Sequence, residues 1–140
     1  MDMKDIVVIG AGKIGGAIAV MLAETGDFSV VVADCSPEQL AKIDRHLSIS
    51  TRELDITDHA DVVALLKGKF AVLSAAPFNL TGRIAEAALE AGVHYLDLTE
   101  DVATTRKVEA LSQNATRAFT ALALANIYLC RSHLLGQVRP

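Results

Sequence analysis

Three closely spaced glycines constrain this chain more than any other feature. They stand in VVIGAGKIGGAIAV, Val7–Val20, as a G-x-G-x-x-G frame at Gly10, Gly12 and Gly15, with Gly16 beside the last. Before them, Ile6–Ile9 is a β-branched run between Asp5 and Gly10 and predicts a buried strand. After them, Ile14, Ile18, Met21 and Leu22 recur at helical spacing, and Gly26 closes the helix. The glycines therefore form the whole connection between a strand and a helix. Gly10 permits the tight turn, Gly12 leaves the backbone open to close approach, and Gly15 lets the helix pack on the strand. A packing device alone would use the same glycines, so the turn does not by itself separate packing from binding.

The rest of the chain repeats the strand–helix unit. Phe28–Ala33 is apolar on both faces, as suits a parallel strand covered by helices. Ser36-Pro37-Glu38-Gln39 predicts a helix start, with Ser36 as cap, Pro37 in the first turn and Gln39 completing a capping box. His46–Thr51 reads as a weaker strand, with Leu47 and Ile49 alternating against Ser48 and Ser50. Leu54–Asp58 is a loop, and Asp58–Lys67 a helix closed by Gly68. Phe70–Ala75 is a strand stopped by Pro77, and Asn79 is placed to cap a helix running to Ala91 and Gly92. His94–Leu98 is the next strand and Asp101–Ala115 a helix with a polar face. A further strand is expected near Ala118–Leu124, and residues 121–140 remain an unassigned tail. Short connections between alternating elements imply right-handed crossovers. The expected fold class is α/β: a doubly wound parallel sheet in three layers, the Rossmann-type arrangement, in a single domain over 1–140.

Composition narrows the partners. The chain has 140 residues, 51% hydrophobic and 21% charged, with a net charge of −4. That suits one packed domain and argues against nucleic acid as a main partner. No apolar run reaches the roughly 18 residues of a membrane span, and the acidic, short amino-terminal run does not read as a signal peptide. Cys35 and Cys130 make neither a metal cluster nor a disulfide framework, which fits a cytoplasmic protein with reduced thiols. His46, His59, His94 and His133 stand at no metal-ligand spacing, so no metal site is expected.

In this setting the glycine turn fits a dinucleotide. The amides at the start of the first helix point at a pyrophosphate, and the helix dipole favours its charge. Asp34 follows the second strand, roughly 20 residues past the turn, where a carboxylate accepts from the adenosine ribose hydroxyls and repels a 2′-phosphate. The same residue also suits a plain turn next to a helix. Cys35, not an arginine, comes next, so NAD is favoured and NADP is the alternative. Cys35 itself has no activating histidine beside it in sequence. Ligands in such sheets sit beyond the carboxyl ends of the strands. Asp55, or the backbone at Ile56, can there approach adenine, although a loop acid beside a helix cap reads equally well. Ala75, Ala76 and Pro77 end the fourth strand, where small residues let a cofactor lie against the backbone or simply stop the strand.

GAGKIGGAIA, VVADCSPEQL, LDITD, VLSAAPFNL and AGVHYLDLTED, in this order, resemble the amino-terminal domain of saccharopine dehydrogenase-like oxidoreductases. The resemblance covers about Ile6 to Arg117, and the AAPF and GVHYLDLTED stretches are its most specific parts. It implies an NAD- or NADP-dependent reductase of carbon–nitrogen bonds, acting on secondary amines formed between an amino acid and a carbonyl compound. By motif, Gly10, Gly12, Lys13, Ile14 and Gly15 would contact pyrophosphate, Asp34 the ribose, Asp55 and Ile56 the adenine. Ala75, Ala76 and Pro77 would lie near the nicotinamide half, and Asp97 and Thr99 at the crevice mouth. Family members carry a second, substrate-binding domain, which is expected outside these residues, so the catalytic residues stay unassigned. The substrate would reach the site through that domain, and the resemblance leaves room for a homodimer. Asp97 and Glu100 are acid/base candidates that suit helix capping better.

Two other functions fit parts of the sequence. One is a dinucleotide-sensing regulatory domain of the kind that gates potassium transport, of similar size and glycine turn but without the AAPF-like strand end. The other is an interaction domain that keeps only the fold.

Overall fold

Five strands alternate with five helices in the computed structural model, which describes residues 2–98 and 102–113. The strands are β1 (Lys4–Ile9), β2 (Phe28–Asp34), β3 (Ile49–Glu53), β4 (Ala71–Ser74) and β5 (His94–Asp97). The helices are α1 (Lys13–Glu24), α2 (Pro37–Ala41), α3 (His59–Leu66), α4 (Phe78–Ala91) and α5 (Val102–Gln113). All pairings are parallel, in the order β3-β2-β1-β4-β5. The expected strand near Ala118–Leu124 and the tail lie outside the described residues.

Alternation within the apolar strands divides the core in two. Val7, Ile9, Ala33, Val72 and Tyr95 face α3, α4 and α5, where Val62, Leu66, Ile84, Ala88 and Val108 meet them. Ile6, Val8, Val30, Val32 and Ala71 face α1 and α2, against Ala19, Leu22, Leu40 and Ile43. A strand of period two thus contributes to both clusters, which is why its sequence is apolar throughout. The sheet is the middle of three layers, the Rossmann-type arrangement. No helix among the described residues is long and apolar enough to cross a membrane.

Three sequence expectations need correction. The buried face of α1 is Gly15, Ala19 and Ala23, while Ile14 and Met21 are exposed. The helix lies so close to the sheet that only small side chains fit beneath it, and the larger apolar residues are displaced to its flanks. The third strand starts at Ile49, not His46. His46–Ile49 is a turn: the Ile49 amide donates to the His46 carbonyl and the Ser48 amide to His46 Nδ1, and Leu47 stands fully exposed. Its alternation with Ile49 was therefore not a strand signal. Finally, α4 begins at Phe78 with Pro77 as its cap residue, which puts Asn79 inside the first turn rather than at the cap. Pro77 is extended (ψ 145°) and its carbonyl accepts from Leu80, so the chain enters the helix one step earlier.

The other caps follow the sequence reading. Asp58 accepts from the Asp61 amide at the start of α3, and Ser36 from the Gln39 amide at the start of α2. Gly92 closes α4 in the left-handed conformation. The Ser36 amide donates to Asp34, so only half of the capping box forms. Asp58→Ala should lower stability by about 1 kcal/mol and Tm by roughly 4 °C, measured by thermal unfolding.

Candidate functional site

The carboxyl ends of β2, β1 and β4 lie side by side, tied by short backbone bonds. The Gly10 amide donates to the Ala33 carbonyl (2.8 Å), and the Ala75 amide to the Ile9 carbonyl (2.8 Å). Beyond β1 the chain turns towards β2; beyond β4 it turns towards β5. The strand order therefore reverses between β1 and β4, and this topological switch point is where sheets of this kind form their ligand crevice.

The three glycines of the turn do different things. Gly10 has φ +111°, which side chains rarely adopt, and a Cβ there would lie 2.7 Å from the Ala75 carbonyl oxygen. A Cβ on Gly15 would lie 1.8 Å from the Gly10 carbonyl oxygen, so this glycine sets the approach of α1 to the turn. Gly12 needs neither concession. Its backbone is ordinary (φ −69°, ψ −173°), and a Cβ would meet nothing within 4 Å. The fold thus accounts for Gly10 and Gly15 but not for Gly12, whose missing side chain leaves open space over the start of α1.

That start is left available. Gly12 gives α1 no side-chain cap, and Pro77 gives α4 none, whereas α2 and α3 are capped by Ser36 and Asp58. The two helices that begin at the crevice, α1 after β1 and α4 after β4, therefore present amide groups with no side-chain acceptor. Lys13 and Ile14 follow Gly12 and are exposed, Ile14 at 57%.

Asp34 joins this turn to the next. Its Oδ2 accepts from the Ala11 amide (2.7 Å) and its Oδ1 from the Ser36 amide (2.8 Å). A carboxylate offers about four acceptor positions, so two remain on a half-buried group held from both sides. Cys35, next to it, is an exposed free thiol. Asp55 is also exposed, and its Oδ1 accepts from the Thr57 hydroxyl (2.6 Å) and amide (2.9 Å). The Thr57 hydroxyl, then its amide, hold the Asp55 carboxyl below the usual carboxylate range. That is the local turn that the loop reading describes. Ile56 packs half-buried against the α3–α4 side of the core. Ala75 and Ala76 turn to opposite faces of the sheet and Pro77 is exposed. Gly10–Gly15, Asp34 and Ala75–Pro77 are thus brought together at the carboxyl edge, with Asp55–Ile56 one strand further out, after β3.

Asp97 departs from the expectation of a place at the crevice mouth. It is fully buried, 3.0 Å from the Tyr95 hydroxyl, which also lies 3.3 Å from the Thr81 carbonyl oxygen. Ser74 and Thr81, likewise buried, complete a polar group beneath the ends of β4 and β5. The sequence reading missed Tyr95 and Thr81; the signal was present as a tyrosine two residues before Asp97, on one face of a strand. Thr99 and Glu100 lie outside the described residues. A cleft of about 450 Å³ also opens beside Gly12 and Lys13, between α1 and the residues Gln39–Asp44. Its lining includes neither Asp34 nor Ala75, so it flanks the crevice rather than filling it. No three His, Cys, Asp or Glu side chains among the described residues gather as metal ligands would.

A family model described as the saccharopine dehydrogenase NADP binding domain matches residues 6–127. No curated protein matches the chain. Among solved structures, saccharopine dehydrogenase (L-Glu forming) from Saccharomyces cerevisiae is similar over 77% of this chain and 24% of its own, with TM-score 0.69 and 18% identity. This chain thus spans about a quarter of the length of that enzyme. The enzyme WbmH of Bordetella bronchiseptica, solved with NAD+, is similar over 85% of this chain and 56% of its own, with TM-score 0.61 and 20% identity. A Rossmann-fold NAD(P)-binding family protein from Shigella flexneri covers 85% of this chain and 66% of its own, with TM-score 0.65 and 15% identity. At these identities the structures establish the shared fold.

Proposed function

The chain belongs to the saccharopine dehydrogenase NADP binding domain family, and from that premise we propose that its glycine turn and Asp34 hold NAD for an oxidoreductase acting on a carbon–nitrogen bond. The family is described as NADP-binding, and WbmH, which shares the fold, was solved with NAD+. The observation that carries the placement is Gly12. Packing and backbone conformation demand glycine at Gly10 and Gly15 but not at Gly12, so the vacant volume there serves a ligand. The amides of Lys13, Ile14 and Gly15 at the uncapped start of α1 supply donors for a pyrophosphate, and Lys13 adds positive charge. Ala75, Ala76 and Pro77 form a low wall for the nicotinamide half.

The preference for NAD rests on Asp34. Two backbone amides hold its carboxylate in place, so it cannot turn away from a 2′-phosphate, while its remaining lone pairs accept from ribose hydroxyls. The bound cofactor supplies hydride transfer; the residues of this chain bind it, orient it and cover one face. The substrate is an amino-acid-derived secondary amine, with its contacts and proton-transfer groups on a second domain. Membership of the family and the likeness to the yeast saccharopine dehydrogenase support this substrate class. The two cysteines and the absence of a disulfide framework suit a cytoplasmic setting. The family match does not favour the potassium-transport sensing reading.

Calorimetric titration of the chain with NAD and with NADP tests the site. NAD should bind at least roughly tenfold tighter, a difference of about 1.4 kcal/mol. Equal affinities would remove the NAD preference, and no binding of either would remove the site.

A further inference from the structure

Four polar side chains, Ser74, Thr81, Tyr95 and Asp97, lie buried together under the nicotinamide-side wall. Ser74 and Asp97 are register partners across β4 and β5, and Tyr95 shares the face of Asp97 two residues earlier. The Tyr95 hydroxyl stands between Asp97 Oδ2 (3.0 Å) and the Thr81 carbonyl oxygen (3.3 Å). It therefore joins the end of β5 to the first turn of α4. That first turn follows directly on Ala75, Ala76 and Pro77, and it lacks a side-chain cap of its own.

We infer that Tyr95 is a positioning residue that sets the height of the Ala75–Pro77 wall, and with it the fit of the nicotinamide half of the cofactor. The inference rests on the cofactor reading above. Its physical basis is the cost of burying polar groups: a phenylalanine would fill the same volume without needing a partner. The two contacts of the Tyr95 hydroxyl fix one geometry where apolar packing permits several, although Ser74 Oγ beside them has no hydrogen-bond partner among the described residues. The hydroxyl is a donor under all ordinary conditions, because burial, and then the charge of Asp97, push its ionisation far upward. A single hydrogen serves two acceptors, so the hydroxyl holds the strand end and the helix turn at a common distance. On that reading the pyrophosphate and adenosine would lie against Gly12 and Asp34, apart from this cluster. Loss of the hydroxyl should therefore weaken one half of the ligand and spare the other.

The experiment compares NAD with ADP, which carries the adenosine and pyrophosphate but no nicotinamide. In Tyr95→Phe, Kd for NAD should rise about fivefold to tenfold while Kd for ADP stays within about twofold. Ile6→Val, which trims the core at the amino end of β1, away from the carboxyl edge, should leave the NAD-to-ADP ratio at the wild-type value. A merely structural role for Tyr95 would shift both ligands together, or neither, and either result overturns the inference. A change of ratio in Ile6→Val also overturns it, since general loosening would then explain the effect. Wild-type chain that binds no ADP overturns the cofactor reading itself, and the positioning role falls with it.

Discussion

A chain carrying Gly12→Val should bind NAD roughly 100-fold more weakly than the wild type, or worse, and still melt within a few degrees of it. The two halves of this expectation have separate causes. The Cβ of the added side chain would meet nothing within 4 Å and opens into free space, so the fold itself does not oppose it. The backbone at Gly12 is extended, with φ −69°, a conformation that valine adopts freely. The stability cost is the exchange of a fair cap residue for a poor one, at most about 1 kcal/mol. The ligand pays more. A pyrophosphate pushed off the start of α1 loses bonds between charged oxygens and backbone amides, each worth about 1.5–3 kcal/mol. Two such bonds make about 3 kcal/mol, which is the 100-fold stated. Titration calorimetry and thermal unfolding of the same sample read both quantities. A variant that binds NAD normally would show that the open volume at Gly12 is not the pyrophosphate site.

The sequence carried most of the fold because its signals were local and redundant. The strand between Asp5 and Gly10, the run Phe28–Ala33 and the caps Ser36 and Asp58 each rest on neighbours a few residues apart, and each survives in the structure. It misled where a pattern had two physical origins. Leu47 and Ile49 alternate as in a strand, yet a turn closed by His46 puts Leu47 in solvent. Ile14 and Met21 look like the buried stripe of α1, but the close approach set by Gly15 leaves that place to Ala19 and Ala23. In the first case local turn chemistry, and in the second tertiary packing, overrode the pattern. The site was legible in part. The glycine frame and Asp34 stood out by spacing, and they lie beside one another at the carboxyl edge. The separate roles of Gly10, Gly12 and Gly15 were legible from the frame, and the structure adds that backbone and packing require glycine only at Gly10 and Gly15. The burial of Asp97 was not legible, because it depends on a tyrosine hydroxyl and a helix carbonyl from a different element.

Gly15→Ala provides the opposite test of the same turn. In an open helix, replacing glycine by alanine stabilises by about 0.5–1 kcal/mol through chain entropy and helix propensity. Here the new methyl carbon would sit 1.8 Å from the Gly10 carbonyl oxygen, far inside van der Waals contact. Gly10 cannot retreat, because the Ala75 backbone packs against it at the position where its own Cβ would lie. Either α1 moves off the sheet by more than an ångström or the turn distorts. Overpacking of this kind costs 1–3 kcal/mol and occasionally more, and a backbone obstacle belongs at the upper end. A net loss of about 3 kcal/mol would lower Tm by roughly 10 °C in a domain of this size, and NAD binding would weaken as the amides shift. Gly16→Ala is the control one residue on. Its Cβ would meet only Ile43 Cδ1 at 3.2 Å, the far end of a flexible side chain that can give way, so the helix gain should roughly cancel the crowding. The sign therefore decides the matter. A stabilising Gly15→Ala would mean that α1 does not press on the turn, and the close packing assigned to this glycine would have to be given up.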